Sequence, residues 1–337
     1  AAAGPPLQDS ERTLQACVSL RQARSLSSLG CLPTPIMSRI SDALFGSTAK
    51  VSIAFADSES RTTVPVKVGE SEVQQLLFGP DDAVTGQVTI DYPGTKKFEY
   101  TGIRLELIGQ IELHFEKSST YEFTSLVREL DGPGELERTK SYSFDFSEVE
   151  KPYESYDGIN ARLRYFLRTT ITRQYGSKVA HEETFRVHTT SLEPETNNAI
   201  KMEVGIEDCL HIEFEYNKSA YHLKDVVLGK IFFLLVRIRI KHMEVAIIRR
   251  EQTGAGTPNV SNESETIAKF EIMDGAPVRG ESIPIRLFLG GFEQLTPTFD
   301  HKNGKFSVKY FLNLVLVDEE DRRYFKQQEV NFFRKEL

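Results

Sequence analysis

The chain has 337 residues, of which 39% are hydrophobic and 27% charged, and it carries a formal net charge of −8. This acidic balance argues against nucleic acid or anionic lipid as the main direct partner, because both require a basic face. The three cysteines are odd in number and follow no pairing pattern, which argues against a disulfide-stapled secreted fold. The longest apolar run covers residues 231–236, whereas a membrane helix needs about 20 apolar residues.

Residues 1–36 differ in composition from the rest, because they are rich in Ser, Leu and Arg and poor in acids. They faintly resemble a transit peptide, or alternatively translated sequence upstream of a start at Met37. In either case we expect a disordered N-terminal extension that takes no part in the fold.

The first half of the chain shows the period-two alternation that is typical of half-buried antiparallel strands. Residues 121–130 are ambiguous, because their apolar positions fit both a helix face and a strand face. We favour a strand there, since the segments around it all have strand character and Pro133-Gly134 then ends the element. The clearest predicted strands of this half are 51–55, 86–91, 103–107, 110–115, 142–146 and 160–172.

The second half repeats this style. A polar stretch over residues 189–199 marks the boundary between the halves, and residues 253–266 are interpreted as a mobile loop. Asn303-Gly304 is a hairpin signal, and residues 318–321 form a predicted acidic hairpin tip. The clearest predicted strands are 210–216, 226–243, 283–289 and 305–317.

Two motifs recur in the same order at nearly the same offset. Residues 163–167 match 308–312 at an offset of 145, and residues 84–88 match 227–231 at an offset of 143. A repeat of this length is a whole domain, since solenoid repeats span roughly 20–50 residues. Many short strands separated by turns predict β-sandwiches. We therefore predict an all-β protein with one sandwich over 37–192, a linker over 193–200 and a second sandwich over 201–337.

Motifs that carry catalysis or cofactor binding are scarce. Cys209 and His211 share a strand face, but His222 and His242 supply no second close pair for a zinc site. Carboxylate pairs occur on many predicted strands, and the chain lacks the Trp that commonly stacks on sugars. These patterns favour a protein that is not an enzyme and that holds no metal or cofactor. Binding through loops and sheet edges is the remaining option.

Residues 271–277 form a predicted turn with two large apolar side chains, Ile272 and Met273, at its approach. If these side chains are exposed they would anchor a partner, because a few apolar residues usually dominate an interface. If they end a buried strand that begins at Ala268, they belong to the core. The residues alone leave both alternatives open.

Several motifs resemble known families. Phe144-Asp145-Phe146 and Arg164-Tyr165-Phe166 resemble the N-terminal half of arrestin-like proteins, and Gly280-Glu281-Ser282-Ile283-Pro284-Ile285 resembles their C-terminal half. Residues 149–156, 201–216 and 317–329 resemble, more specifically, the small arrestin-like subunit of retromer, the vacuolar protein sorting 26 family.

This resemblance implies two tandem arrestin-like, immunoglobulin-like β-sandwich domains packed end to end, without catalysis. It implies a cytoplasmic adaptor that is peripheral on the cytosolic face of endosomes and serves retrograde transport of transmembrane cargo. The implied partners are the α-solenoid retromer subunit of the vacuolar protein sorting 35 family, PX-domain and other sorting nexins, and the cytosolic tails of cargo. Membrane contact would be indirect, through those partners.

The resemblance also implies site residues. Ile272, Met273 and Asp274 match the family's loop that contacts the solenoid subunit, whereas Val204 and Phe325 match positions near the groove for cargo and nexin. Residues 78–81 depart from the animal pattern, so a PDZ contact is not carried over. The alternative function is a free-standing arrestin-like receptor adaptor, although the Pro-Pro-x-Tyr motif common in that class is absent from the sequence. In either case function is expected where the two copies of the repeat differ.

Overall fold

The alternating sequence forms strands almost throughout the computed structural model, which describes residues 49–68, 71–94, 97–114, 119–206, 208–255, 260–301 and 304–335. The extension predicted over residues 1–36 lies outside the described residues. The first half contains β1 (Lys50–Phe55), β2 (Thr63–Val68), β3 (Ser71–Phe78), β4 (Val84–Asp91), β5 (Phe98–Tyr100), β6 (Gly102–Leu113), β7 (Ser119–Asp131), β8 (Gly134–Leu136), β9 (Lys140–Phe146), β10 (Tyr156–Asp157), β11 (Ala161–Thr172) and β12 (Val179–Val187).

The second half is built in the same way, with one short 3-10 turn over Leu289–Gly291. Its strands are β13 (Ile200–Ile206), β14 (Leu210–Tyr216), β15 (Ala220–His222), β16 (Val226–Val236), β17 (Ile240–Thr253), β18 (Ser261–Asp274), β19 (Ser282–Phe288), β20 (Phe299–Asp300), β21 (Phe306–Asp318) and β22 (Arg323–Phe333).

Strands of each half pair only with strands of the same half in the described parts of the chain. The first half has a sheet of order β1-β4-β9, a sheet of order β2-β3-β12-β11-β6-β7 with β10 added to β11, and the small pair β5-β8. The second half has the order β13-β14-β16-β19 and the order β15-β22-β21-β17-β18 with β20 added to β21. The predicted all-β, tandem arrestin-like sandwich class is confirmed. The exact domain limits stay a prediction.

The repeated motifs occupy equivalent places in the two sandwiches. Tyr165 in β11 and Tyr310 in β21 are both fully buried on central strands. Gly86 in β4 and Gly229 in β16 also lie on central strands, where a Cβ atom would overlap the carbonyl oxygen of the neighbouring strand. The two copies resemble each other because both cores require a large ring and a close strand approach at these positions.

Three predictions about where strands begin and end were wrong in detail. The strands predicted over 103–107 and 110–115 form the single strand β6, which ends at Leu113 and passes through buried Gly109 beneath the Phe123 ring. Phe115 lies outside the described residues. The strand predicted over 226–243 is divided into β16 and β17 by a turn over residues 237–239, where Arg237 N–H donates to the Cys209 carbonyl (2.7 Å).

The third error concerns residues 253–266, which were predicted to be a mobile loop. Strand β18 already begins at Ser261, so residues 261–266 are hydrogen-bonded sheet, whereas residues 256–259 lie outside the described residues. The strand favoured for residues 121–130 is confirmed as part of β7, and the acidic hairpin tip over residues 318–321 is confirmed between β21 and β22. Gly304 has the left-handed φ of +66° expected of its hairpin signal, whereas Asn303 lies outside the described residues.

The junction between the two sandwiches contains the carboxylate of Glu251 in β17, which is only 3% exposed. Its Oε2 atom accepts hydrogen bonds from the Tyr156 hydroxyl (2.8 Å) and the Ile159 N–H (3.1 Å). Its Oε1 atom accepts one from the Asn160 N–H (2.6 Å). A carboxylate of the second sandwich therefore completes the β10–β11 turn of the first.

A second carboxylate, Glu154, holds the other side of the junction. It accepts two hydrogen bonds from the Arg334 guanidinium (2.8 and 3.1 Å) and one from the Thr189 N–H (3.2 Å). Burial raises the pKa of Glu154, although Arg334 opposes the shift. Between the two carboxylates, the Tyr156 ring stacks on Phe306 with centroids 5.6 Å apart. The sandwiches are thus joined by charged, polar and aromatic contacts.

Candidate interaction surfaces

Four turns of the second sandwich gather at one end, which we call the far end. Because β17 runs from Ile240 at this end to Glu251 and Thr253 at the junction, the far end lies opposite the first sandwich. The turns follow β13, β16, β18 and β21, and their described residues are 208–209, 237–239, 275–281 and 319–322.

Backbone hydrogen bonds hold the far-end turns to one another. The Glu319 N–H donates to the Arg239 carbonyl (3.0 Å), and the Gly275 N–H donates to the Lys241 carbonyl (2.8 Å). Two salt bridges also join the 319–322 turn to the start of β17 and the turn before it, from Arg239 to Glu319 (3.6 Å) and from Lys241 to Asp321 (3.1 Å). The far end is therefore one connected surface rather than four independent loops.

Ile272 and Met273 lie in the last part of strand β18, at the approach to the predicted turn, which agrees with the strand-end alternative left open above. Met273 pairs with the fully buried Met243 of β17, whereas Ile272 and Met273 are themselves half-buried against the core. The two residues therefore form the end of a strand, whose side chains alternate between the two faces of the sheet in register with β17. Only part of each side chain is left for a partner. Asp274, which pairs with His242, is exposed.

The loop that follows Asp274 presents a residue that sequence reasoning missed. Val278 is 67% exposed at its tip, while Pro277 beside it is buried. Gly275 and Gly280 flank the tip with φ values of +99° and +85°, in the left-handed region that favours glycine. The available signal was this pair of glycines around Ala-Pro-Val, which fixes a tight loop and forces one apolar side chain outward.

Val204 and Phe325 lie in different sheets. Val204 is half-buried in β13 and packs against the core, whereas Phe325 in β22 is 67% exposed. Among the residues that the structure describes, strand β13 pairs only with β14, and β22 is paired on one side alone until Asn331, where β15 joins it. In the described structure each residue therefore lies in a strand with an open edge. The two side chains are in different sheets and do not form one site.

The His, Cys, Asp and Glu side chains of the residues that the structure describes are the candidates for metal binding. These residues contain no group of three His, Cys, Asp or Glu side chains placed to hold a metal ion. Cys209 lies in a turn, and His211 faces Glu203 with the Nε2 and Oε2 atoms 3.5 Å apart. In the same described residues, no helix has the length and apolar character that crossing a membrane requires.

Two tandem sandwiches, with ordered turns at one end, open strand edges and no α-helix among the described residues, define an arrestin-like β-sandwich protein. Residues 45–321 match the family model described as "Vacuolar protein sorting-associated protein 26". Together with the relatives below, this match shows that the chain belongs to that family, as the sequence motifs indicated.

The regions aligned with the curated relatives cover most of each chain. Vacuolar protein sorting-associated protein 26B of Xenopus tropicalis is 59% identical over 294 residues, 86% of either chain. The human protein of the same name is 58% identical over 293 residues, again 86% of either chain. Vacuolar protein sorting-associated protein 26 of Dictyostelium discoideum is 58% identical over 293 residues, 86% of this chain and 83% of its own.

Proposed function

We propose that this chain is the non-enzymatic adaptor subunit of the retromer coat, acting in endosomal sorting and in retrograde transport of transmembrane cargo to the Golgi and plasma membrane. Family membership supports the sorting role. The observation that carries the adaptor role is the far end of the second sandwich, where a fixed loop presents exposed Asp274 and Val278 beside half-buried Ile272 and Met273.

The far end would bind the α-solenoid retromer subunit, of the vacuolar protein sorting 35 family. An apolar tip on a rigid loop suits insertion between two helices, because little conformational entropy is lost on binding. Ile272 and Met273 would supply the base of the contact and Asp274 its polar rim. This assignment rests on the placement of these residues and on their match to the family's loop.

The test compares substitutions of different burial. Met273→Asp places a charge against the core and can unfold the sandwich, so Val278→Asp and Asp274→Lys are the informative variants. We expect both to keep the wild-type melting temperature and to lose capture of the purified solenoid subunit. Leu192→Asp, at an apolar side chain that is 94% exposed outside the far end, is the matched control. Full capture by folded Val278→Asp and Asp274→Lys would refute this interface.

The open edges of β13 and β22 would serve cargo and PX-domain or other sorting nexins. An extended cargo tail can add to such an edge, with backbone hydrogen bonds for affinity and apolar residues for specificity. Phe325 is exposed to receive such a residue, and Val204 lies beside the other edge. Phe325→Ser should weaken binding of a synthetic cargo-tail peptide in the presence of nexin without changing stability. Unchanged peptide affinity would argue against this groove.

Endosomal localisation would follow from the partners. The net charge of −8 disfavours direct attraction to an anionic membrane, so a lipid-binding nexin would supply that contact. Purification of the endogenous chain with its bound proteins decides between this role and a free-standing arrestin-like receptor adaptor. The solenoid subunit would co-purify in the first case, and receptors with a ubiquitin ligase in the second.

A further inference from the structure

Asp318, the first of four consecutive acidic residues, points inward and is only 2% exposed. Its Oδ1 atom accepts the N–H groups of Glu320 (3.0 Å) and Arg322 (2.9 Å). Its Oδ2 atom accepts Arg322 Nε–H (2.7 Å) and the Tyr324 hydroxyl (3.0 Å). Burial would raise the pKa of the carboxyl, but these donors outweigh it and hold the pKa below its usual value.

The turn that Asp318 organises is connected on one side to the loop of the proposed solenoid site. Glu319 and Asp321 pair with Arg239 and Lys241. The carbonyl of the same Lys241 accepts the Gly275 N–H, which directly follows Asp274. The position of the 275–281 loop thus depends, through β17, on the shape of the acidic turn.

On its other side the turn connects to the proposed cargo groove. Tyr324 donates to the Oδ2 atom of Asp318 and directly precedes Phe325 in β22. The Arg323 backbone pairs with Val317, so β22 starts where the turn ends. The start of the strand that carries Phe325 is therefore hydrogen-bonded to Asp318 through Tyr324.

Building on the proposed function, we infer that Asp318 is a positioning residue that couples the two surfaces: by fixing the 318–322 turn, it links occupancy of the far end to the geometry at Phe325. Binding of the solenoid subunit would then favour binding of an extended apolar peptide at β22. Reciprocity follows, because two sites that bias one shared element change each other's affinity by the same factor.

A substitution with nearly the same shape separates this role from general support of the fold. Asp318→Asn keeps an oxygen for the Glu320 and Arg322 amides, but it turns an NH2 group towards the Arg322 Nε–H. The backbone turn can persist, but residue 318 no longer accepts a hydrogen bond from Arg322 Nε–H or from the Tyr324 hydroxyl on this side. Asp300→Asn, at an exposed aspartate of β20 at the junction end, is the matched control.

The experiment measures coupling in the full-length chain with 4-fluorophenylalanine at position 325. Purified solenoid subunit is titrated, and the fluorine resonance and peptide affinity are recorded with and without it. In the wild type and Asp300→Asn we expect the resonance to shift and the peptide to bind about fivefold more tightly or better when the subunit is bound. In Asp318→Asn we expect solenoid binding to remain, with the shift and the enhancement lost.

Lost stability alone would weaken binding at both sites without removing the enhancement, so the enhancement is the deciding readout. Asp318→Asn with wild-type coupling would overturn the inference and leave the proposed function intact. A wild type that does not bind the subunit would overturn both. If Asp318→Asn does not fold, Tyr324→Phe removes one of the four hydrogen bonds and should reduce the enhancement; full enhancement in that variant would overturn the inference.

Discussion

Gly158 lies at the β10–β11 turn where the carboxylate of Glu251 reaches across the junction. A Cβ atom added there would overlap the Glu251 Oε2 atom and the Tyr156 ring and would lie 2.6 Å from the Tyr156 hydroxyl oxygen. The backbone of Gly158 has no positive φ, so the requirement for glycine is steric. Gly158→Ala must therefore displace Glu251 or the turn, and it tests the junction at its most crowded point.

The magnitude follows from two contributions. Overpacking of a filled site costs about 1–3 kcal/mol, because neighbouring groups must shift from their preferred positions. Displacing Glu251 also weakens its bonds to the Ile159 and Asn160 amides, and a buried donor without its partner costs about 1–3 kcal/mol. We expect Gly158→Ala to lower the free energy of unfolding by about 3–5 kcal/mol.

Denaturant unfolding measures this loss, and amide hydrogen exchange locates it. Exchange should accelerate at Ile159 and Asn160, since both amides donate to Glu251. Gly132→Ala is the control, because a Cβ there meets no atom within 4 Å, and it should change stability by less than about 1 kcal/mol. Equal stability of the two alanine variants would show that Glu251 does not fill the space beside Gly158.

Two further predictions concern buried charges. Arg334→Ala leaves Glu154 buried without its cation, so stability at pH 7 should fall by about 3 kcal/mol. Because the pKa of Glu154 is raised in the folded state, part of this lost stability should return as pH falls from 7 towards 4.5. Denaturation of Arg334→Ala at several pH values should show the recovery. Adding Glu154→Gln to Arg334→Ala should remove it. Lys151, which is 1% exposed, donates to the Asp82 (2.7 Å) and Val149 (3.2 Å) carbonyls, so Lys151→Met should destabilise by about 1–3 kcal/mol. Burial lowers the pKa of Lys151, so wild-type stability should gain as pH rises through that pKa towards 10.5; a Lys151→Met variant with the same rise would contradict this reasoning.

The strands could be predicted from sequence because one face of most of them is buried, which leaves a period-two pattern. The pattern fails where a turn also alternates. Arg237-Ile238-Arg239 continues the alternation of β16, so the turn between β16 and β17 is invisible in the sequence. It exists because of a backbone contact with Cys209, and contacts between distant residues leave no mark on local periodicity.

The burial of the Glu251 and Asp318 carboxylates was only partly predictable from the sequence. In β17, Val245, Ile247 and Glu251 share one face, so parity alone places Glu251 inward, although its donors come from the other half of the chain. Asp318 carries no such signal. Its acidic neighbours indicate an exposed tip, and only the folded turn shows that Arg322 and Tyr324 satisfy it.

The same limit applies to the interaction surfaces. Family resemblance predicts a partner contact at Ile272 and Met273, but their half-buried state depends on the register of β18 against β17 and could not be predicted. Val278 was overlooked because a single exposed valine is unremarkable in sequence. Its position becomes informative once Gly275 and Gly280 are seen to fix the loop around it.

Strand β17 connects the junction to the far end. Its 14 residues span roughly 45 Å at the usual rise of a β-strand. At one end Glu251 engages the first sandwich, and at the other the Lys241 carbonyl holds the loop after Asp274. A central strand paired on both sides cannot lengthen or slip without breaking two ladders, because a one-residue slip exchanges its buried and exposed faces. The first sandwich and the far end are therefore held at a fixed spacing, which the proposed adaptor role requires if partners bound at either end are to keep a constant geometry.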